Sequence, residues 1–470
     1  MKKTWIIVFL LAIVTQACRK HSEPPVVVAG DPLTETVALD ISHPANTISP
    51  QFQGLSFETW LLCRNPDYLN ANNTVLIQLL KNLGTGVLRI GGNSSDETGW
   101  TGSPRRPGTS SDSLTTSEID RLAAFSKVTG WQVIFGLNLG TGNVNAATDE
   151  AVYVYNHLNE NLSAFQVGNE PDYFKLGYRP KIYSITDYEA EWNTYYTAVK
   201  AVLPNAPFAG PDVSDNLLWA NTFATDNGKN VNLLDVHYYV DGPATDSSIN
   251  VKTILESDAD LDSYLNSISA TALVAGVGYR ITEANSIWGG GKAGVSDTFA
   301  GSLWALDMMW TIAEKNGQGV NFHGGDGLLY SPLTTANGIW TANPEYYAML
   351  AFQYGAAGGT VIPLTTSNPS YNCNAFACVK ADNTCVVTLI NKEQAQDINF
   401  TLQPGKTVSK ISIARLSGPS ITSKTGITFA GSIVAADGTF EPGSAEQITV
   451  NKNSFVVKVP RGSAAVITIY

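Results

Sequence analysis

Ala164-Phe-Gln-Val167, running straight into Gly168-Asn169-Glu170, is a mostly apolar segment that stops abruptly in polar groups. A run of this length bounded by glycine reads as a buried strand. The carboxylate beyond it stands where a barrel strand delivers side chains to a binding mouth. Seven further runs share the pattern: Gly54-Leu-Ser-Phe-Glu58, Gly86-Val-Leu-Arg-Ile90, Gln132-Val-Ile-Phe-Gly-Leu137, Pro207-Phe-Ala-Gly210, Leu233-Leu-Asp-Val-His-Tyr-Tyr239, Tyr279-Arg-Ile-Thr-Glu283 and Gly319-Val-Asn-Phe-His323. Helical spacing fills the gaps, as in Ser117–Val128 and in Asp187–Val202 with Tyr188, Trp192, Tyr195, Tyr196 and Val199. A long helix is expected over Ser296–Lys315, opened by Ser296-Asp297 as its cap and closed near Gly317. Strand and helix alternating in this way over residues 49–354 predict an α/β fold, a (β/α)8 TIM barrel.

After residue 355 the texture changes. Val386-Val-Thr-Leu-Ile390, Ile398-Asn-Phe-Thr-Leu402, Ile411-Ser-Ile-Ala-Arg415 and Phe455-Val-Val-Lys-Val-Pro460 are strand-like and separated by Gly, Asn and Asp turns. Residues 355–470 are therefore expected to form an all-β sandwich, joined by an N-terminal strand within residues 36–48. At the start of the chain, Lys2 and Lys3 precede the apolar run Trp5–Val14, and Thr15-Gln-Ala17 supplies a cleavage site, so residues 1–17 read as an export signal. Cys18 follows directly, as at a bacterial lipoprotein cleavage site, and residues 18–35 read as a tether with a lipid on Cys18; ordinary cleavage with a free Cys18 is the alternative. The expected location is the periplasm or cell surface, with membrane attachment only through that lipid. An exported chain permits disulfides, and one bridge among the neighbouring Cys373, Cys378 and Cys385 is expected, with Cys63 as the fourth thiol and the pairing open.

Composition narrows the chemistry. With 29 basic against 41 acidic residues the formal net charge is −12, which repels phosphate backbones, and no nucleic-acid partner is expected. There is no CxxC and no histidine pair at ligand spacing, so no metal is expected. Gly289-Gly-Gly-Lys-Ala-Gly294 matches GxGxxG, but it follows a barrel strand with no dinucleotide-binding unit around it. His323-Gly-Gly325 resembles a lipase oxyanion loop, yet the chain has no GxSxG serine elbow.

The strand ends, read in order, are Glu58, Gly91-Gly-Asn93, Asn138, Asn169-Glu170, Asp212, His237 with Tyr239, Glu283 and His323. Hydrolysis of a glycosidic bond needs one carboxyl that protonates the leaving oxygen and one carboxylate that attacks the anomeric carbon. Glu170 and Glu283 are the candidate pair, and only the fold can bring them together. Asn169 is placed to hydrogen-bond the sugar hydroxyl next to the anomeric carbon. Tyr239, on the same strand face as His237, is placed to donate to Glu283; the alternative for both is a packed barrel wall.

The runs Phe165-Gln-Val-Gly-Asn-Glu-Pro-Asp172 and Arg280-Ile-Thr-Glu-Ala-Asn-Ser286, the latter continued by Gly289-Gly-Gly291 and Val295-Ser-Asp-Thr-Phe-Ala300, resemble glycoside hydrolase family 79, which holds the β-glucuronidases and heparanase. Arg89-Ile-Gly-Gly-Asn93, Phe135-Gly-Leu-Asn138, Gly210-Pro-Asp212 and His237-Tyr-Tyr239 fit the same pattern in the same order, so the resemblance covers the whole barrel. It implies a retaining mechanism without cofactor, with Glu170 as acid/base and Glu283 as nucleophile. It further implies that Gly289 and Gly290, through backbone N–H groups, and Tyr330 hold a uronic carboxylate, with Asn93 and Asn169 among the sugar-binding residues. Lys292 either adds charge there or is solvated. Glu58 either grips distal sugar hydroxyls or caps a nearby loop. Trp288 departs from the pattern, standing where relatives carry a tyrosine; an indole stacks on a sugar face but brings no hydroxyl donor.

The expected partner is thus a carbohydrate, and the expected activity is removal of a terminal β-linked glucuronic acid, or its 4-O-methyl form, from oligosaccharides or glycosides. An acidic chain without a Lys/Arg run fits exo action better than attack on a sulfated polymer. The alternatives are a glycosidase of the same clan acting on a neutral sugar and a non-catalytic surface glycan-binding barrel.

Overall fold

The computed structural model describes residues 30–470; the export signal, Cys18 and most of the tether 18–35 lie outside the described residues. Eight strands form one parallel sheet. The first, Gln53–Glu58, lies between the second, Val87–Gly91, and the eighth, Val320–Gly324. The third, Gln132–Leu137, and fourth, Leu162–Val167, extend one side. The seventh, Gly278–Ile287, sixth, Leu233–Asp241, and fifth, Ala209–Val213, extend the other. The two ends meet where Phe165 bridges Phe208 and Phe165 N donates to Pro207 O at 2.9 Å, closing the sheet as a (β/α)8 barrel. Each expected run therefore forms a barrel strand, except that the fifth is displaced: Phe208 makes only the closing bridge, and the ladder runs over Ala209–Val213.

The barrel helices follow their local signals. Thr116–Thr129 is opened by a capping box between Thr115 and Glu118 and closed by Gly130 in the left-handed conformation. The helix after the seventh strand starts at Phe299 rather than at Ser296. The proposed cap is used elsewhere: Ser296 Oγ receives Lys292 N at 2.9 Å and Asp297 Oδ1 receives Gly294 N at 2.6 Å, so both side chains close the glycine turn before the helix and Thr298 takes the N-cap position. This helix, Phe299–Glu314, is buried on nearly every face and packs against Pro344–Gly355. No helix among the described residues is long and apolar enough to cross a membrane.

The C-terminal strands form two sheets. The larger contains Cys373–Val379, Cys385–Asn391, Ser463–Ile469 and Val408–Ser417 side by side; the smaller orders Leu364–Thr366, Leu33–Leu39, Ile398–Gln403 and Phe455–Val459. The N-terminal strand Leu33–Leu39 runs parallel to Ile398–Gln403. Because side chains alternate across a strand, Val387, Leu389 and Ile467 face the smaller sheet, while Val386, Ile390 and Val466 join the barrel-side core. The larger sheet is thus buried on both faces. The same alternation corrects the expected disulfide: all four described cysteines are free thiols. Cys378 faces the barrel side and Cys385 the sandwich core, while Cys373 shares the face of Cys385 but lies at the far end of the hairpin, about 20 Å away at the usual rise per residue.

Candidate active site

The mouth of the barrel is built where the sheet is least regular. Register shifts fall at Asp212 in the fifth strand and Thr282 in the seventh, and such bulges re-aim side chains. Glu170 and Asp212 both adopt left-handed backbone, with φ of 47° and 56°. Non-glycine residues there carry strain of roughly 1–3 kcal/mol each, sustained by surrounding contacts. Here the two strained residues bond to each other across the closing seam, Glu170 N donating to Asp212 O at 2.8 Å.

Folding brings Glu170 and Glu283 together: one carboxylate oxygen of each and a ring nitrogen of His237 all lie within 4.8 Å of one another. Glu283 receives the Tyr239 hydroxyl on Oε1 at 2.8 Å and Arg89 Nη1 on Oε2 at 2.7 Å, with His323 Nδ1 3.6 Å from Oε2. Burial works against its charge, but His323, His237 and Arg89 outweigh it and hold the carboxyl well below the usual glutamate range. Glu170 has one cationic contact, His237 Nδ1 to Oε1 at 3.0 Å. Burial outweighs that contact and, with the neighbouring Glu283 charge, raises its pKa above the usual value. His237 is itself fixed by Asp212, Nε2 to Oδ1 at 2.9 Å. Burial opposes its proton, but Asp212 prevails and the pKa is pushed up to about 10, so the ring is an imidazolium that donates to both carboxylates.

Beneath this layer lies a buried polar network. Arg89, with 0% exposure, donates to Asp212 Oδ2 at 2.6 Å, Asn169 Oδ1 at 2.7 Å and Gln166 Oε1 at 2.9 Å. Gln166 reaches Asp235 at 2.6 Å, and Asp235 in turn receives Asp212 N at 2.8 Å. Asp235 is pushed up to about 7 by burial and by the Asp212 charge, so Asp212 is the ionised member that pairs with both cations.

A cavity of about 780 Å³ opens above the pair, and Glu58, Asn93, His237, Tyr239, Trp288, Gly289, Gly290 and Tyr330 line it with the two glutamates. Asn169 is the exception among the sequence-designated residues. It is buried, receives Arg89, and donates to Asn93 Oδ1 at 3.1 Å, so it meets the cavity through Asn93. Glu58 makes the loop cap of its two alternatives, Oε2 receiving Ser94 N at 2.9 Å, while Oε1 points towards His323 at 3.8 Å. Gly92, at φ 70°, leaves room for this carboxylate, since a Cβ there would stand 2.5 Å from it. Gly289 and Gly290 have φ of 88° and 95°, and neither N–H finds an acceptor among the described residues. Lys292 is turned away, donating to the Asp246 carbonyl.

Sequence reasoning assigned no role to Arg89, Gln166 or Asp235. Their signal is a polar residue inside an otherwise apolar run, as in Val87-Leu-Arg-Ile90 and Leu233-Leu-Asp-Val236. The trio Glu170, His237 and Glu283 is compact enough to raise the question of a metal ion. Both ring nitrogens of His237 are committed as donors, leaving no lone pair for a cation, so the donor set suits an acid pair with a cationic clamp.

No protein-family model matches the chain. It is 27% identical to heparanase-like protein 3 of Arabidopsis thaliana over 319 residues, 61% of this chain and 58% of that protein, so the match spans little more than half of that relative. It is 26% identical to a β-glucuronidase of Neurospora crassa over 493 aligned positions, 88% of this chain and 83% of that enzyme. Among solved structures, a 4-O-α-L-rhamnosyl-β-D-glucuronidase from Fusarium oxysporum superposes with a TM-score of 0.76 at 20% identity, covering 92% of this chain and all of that one, which shows a shared fold. A GH51 arabinofuranosidase from Xanthomonas axonopodis pv. citri shares it too, at a TM-score of 0.71 and 18% identity, covering 93% of this chain and 100% of that one. The chain is thus similar to β-glucuronidases and heparanase-like proteins, and the mouth of its barrel carries the pair of carboxyl groups that glycoside hydrolysis needs.

Proposed function

We propose that the protein is a retaining, exo-acting β-glucuronidase. The observation that carries the reading is a pair of carboxyl groups in contact range whose surroundings push their acidities in opposite directions. Glu170, protonated, gives its proton to the glycosidic oxygen as that C–O bond breaks, and the Glu283 carboxylate attacks the anomeric carbon from the opposite face. His237 occupies Oε1 of Glu170, which leaves Oε2 to carry the proton. Once Glu283 is esterified its charge is gone, and with it one of the causes that raised Glu170. Glu170, left as a carboxylate by its proton transfer and kept so by its lowered pKa, takes a proton from water as that water attacks the anomeric carbon, and Glu283 leaves as carboxylate. Two inversions restore the β configuration.

The uronate assignment is supported by the unpaired N–H groups of Gly289 and Gly290 beside Tyr330, donors that suit an anion where water is excluded, and by the relative named β-glucuronidase. Hydrolysis of 4-nitrophenyl β-glucuronide, β-galacturonide, β-glucoside and β-xyloside tests it. The glucuronide should lead the neutral sugars by at least about tenfold in kcat/KM, and NMR should show β-glucuronic acid as the first-formed anomer. A neutral glycoside in the lead would overturn the assignment of Gly289, Gly290 and Tyr330. The proposal includes export and a lipid tether at Cys18, supported by the composition of residues 1–35; Cys18→Ala should move activity from the membrane fraction to the soluble one.

A further inference from the structure

The turn that follows Glu170 has no part in the chemistry above. Residues Pro171–Leu176 wind as a short 3₁₀ helix, tied back by Tyr173 N donating to Glu170 O at 2.8 Å. Pro171, Asp172 and Phe174 are buried and anchor it, whereas Tyr173 and Leu176 are 47% and 77% exposed and line the cavity. Ser214 donates to Asp172 Oδ2 at 2.7 Å, which fixes its neighbour Asp215 beside the same turn. Asp215 and Asp241 both line the cavity, and no lysine or arginine does so among the described residues.

A proton donor stands on the leaving-group side of the bond it helps to break, so the wall continuing from Glu170 is the wall the leaving group meets. That wall presents a phenol ring and a leucine to water, with the Asp215 carboxylate close by. Exposed apolar groups at a cleft are satisfied by an apolar ligand, and carboxylates there penalise an anionic one. Resting on the glucuronidase reading, we propose that the leaving-group subsite takes an uncharged apolar aglycone, laid flat against Tyr173 and Leu176, and that Asp215 disfavours sulfated or carboxylated saccharides in the same place.

Three substrates test this on the full chain: 2-naphthyl β-glucuronide, β-glucuronyl fluoride, whose leaving group is too small to reach the subsite, and glucuronyl-β-1,4-(N-acetylglucosamine 6-sulfate). In the double variant Tyr173→Ala/Leu176→Ser, the ratio of kcat/KM for the naphthyl glucuronide to that for the fluoride should fall about tenfold, mostly through KM. Tyr173→Phe, which keeps the ring, should hold that ratio near the wild-type value. In Asp215→Asn, turnover of the sulfated disaccharide should rise severalfold at low ionic strength, and the gain should fade in about 0.5 M salt. An unchanged naphthyl-to-fluoride ratio in the double variant, with the fluoride still turned over, would overturn the aglycone assignment alone. Failure of the wild-type protein to hydrolyse the fluoride would overturn the glucuronidase reading and this one with it.

Discussion

Glu170 and Glu283 are the same amino acid held at opposite acidities, and their neighbours account for the difference. Glu283 is ringed by Arg89, Tyr239 and His323, while Glu170 meets one imidazolium and is otherwise desolvated. The sign of the pH dependence follows. Glu283 must be ionised, and its pKa is depressed, so activity should survive well below the usual carboxylate range before an acid limb appears. Glu170 must be protonated, and its pKa is raised, so the alkaline limb should lie above the usual glutamate value. Glu170→Gln should slow aryl glucuronides by roughly 10²–10⁴-fold and abolish that alkaline limb, while glucuronyl fluoride, which needs no proton donor, loses far less. A Glu170→Gln enzyme that kept the wild-type alkaline limb would remove Glu170 from the acid role. Both glutamates were legible in the sequence because each ends an apolar run. Arg89 was not: its partners Asp212, Asn169 and Glu283 are distant along the chain, and a charged residue within an apolar run names no partner.

At the scale of single elements, local signals placed strands and helices well and misplaced ends where tertiary contacts captured the capping groups. Ser296 and Asp297 are good cap residues, yet the glycine turn uses both, and the helix begins later. The fifth strand shifts because closure of the barrel, not hydropathy, decides which residues pair. The helix Val144–Leu158 shows a further conflict. Glu150 lies on its buried face beside Ala147, Ala151 and Val154, and burial pushes its carboxyl up to about 8. A raised carboxyl binds its proton more tightly folded than unfolded, so its contribution is full below the unfolded pKa and is lost as pH climbs through the folded one. Glu150→Gln should therefore gain on wild type by roughly 3–4 kcal/mol between pH 5 and pH 8, read as a pH-dependent difference in Tm. A gap that stays constant across that range would show that Glu150 does not titrate in this way.

Across the whole molecule, the barrel and the C-terminal sheets share one continuous core. The larger sheet presents Val386, Ile390 and Val466 to the barrel side, and Lys392 reaches Asp307 of the buried helix at 2.6 Å while Asn374 reaches the same carboxylate at 2.6 Å. Stability rests on this packing and not on cross-links, because Cys63, Cys373, Cys378 and Cys385 are free. A reductant should leave Tm unchanged to within about 1 °C, whereas loss of a native disulfide would cost about 2–5 kcal/mol. A marked drop in Tm on reduction would contradict the pairing-free arrangement.

Hydrophobic period and turn chemistry are local properties, so the sequence by itself determined the order of strands and helices, the barrel and sandwich classes, and which carboxylates end apolar runs. Acidity, partner choice and thiol pairing are sums over groups that only folding makes neighbours. The tertiary structure alone therefore decided which groups hold Glu283 ionised, that Arg89, Asp212 and His237 hold the pair in place, that Asn169 stands behind Asn93, and that cysteines at most twelve residues apart point to different faces or different ends of one hairpin.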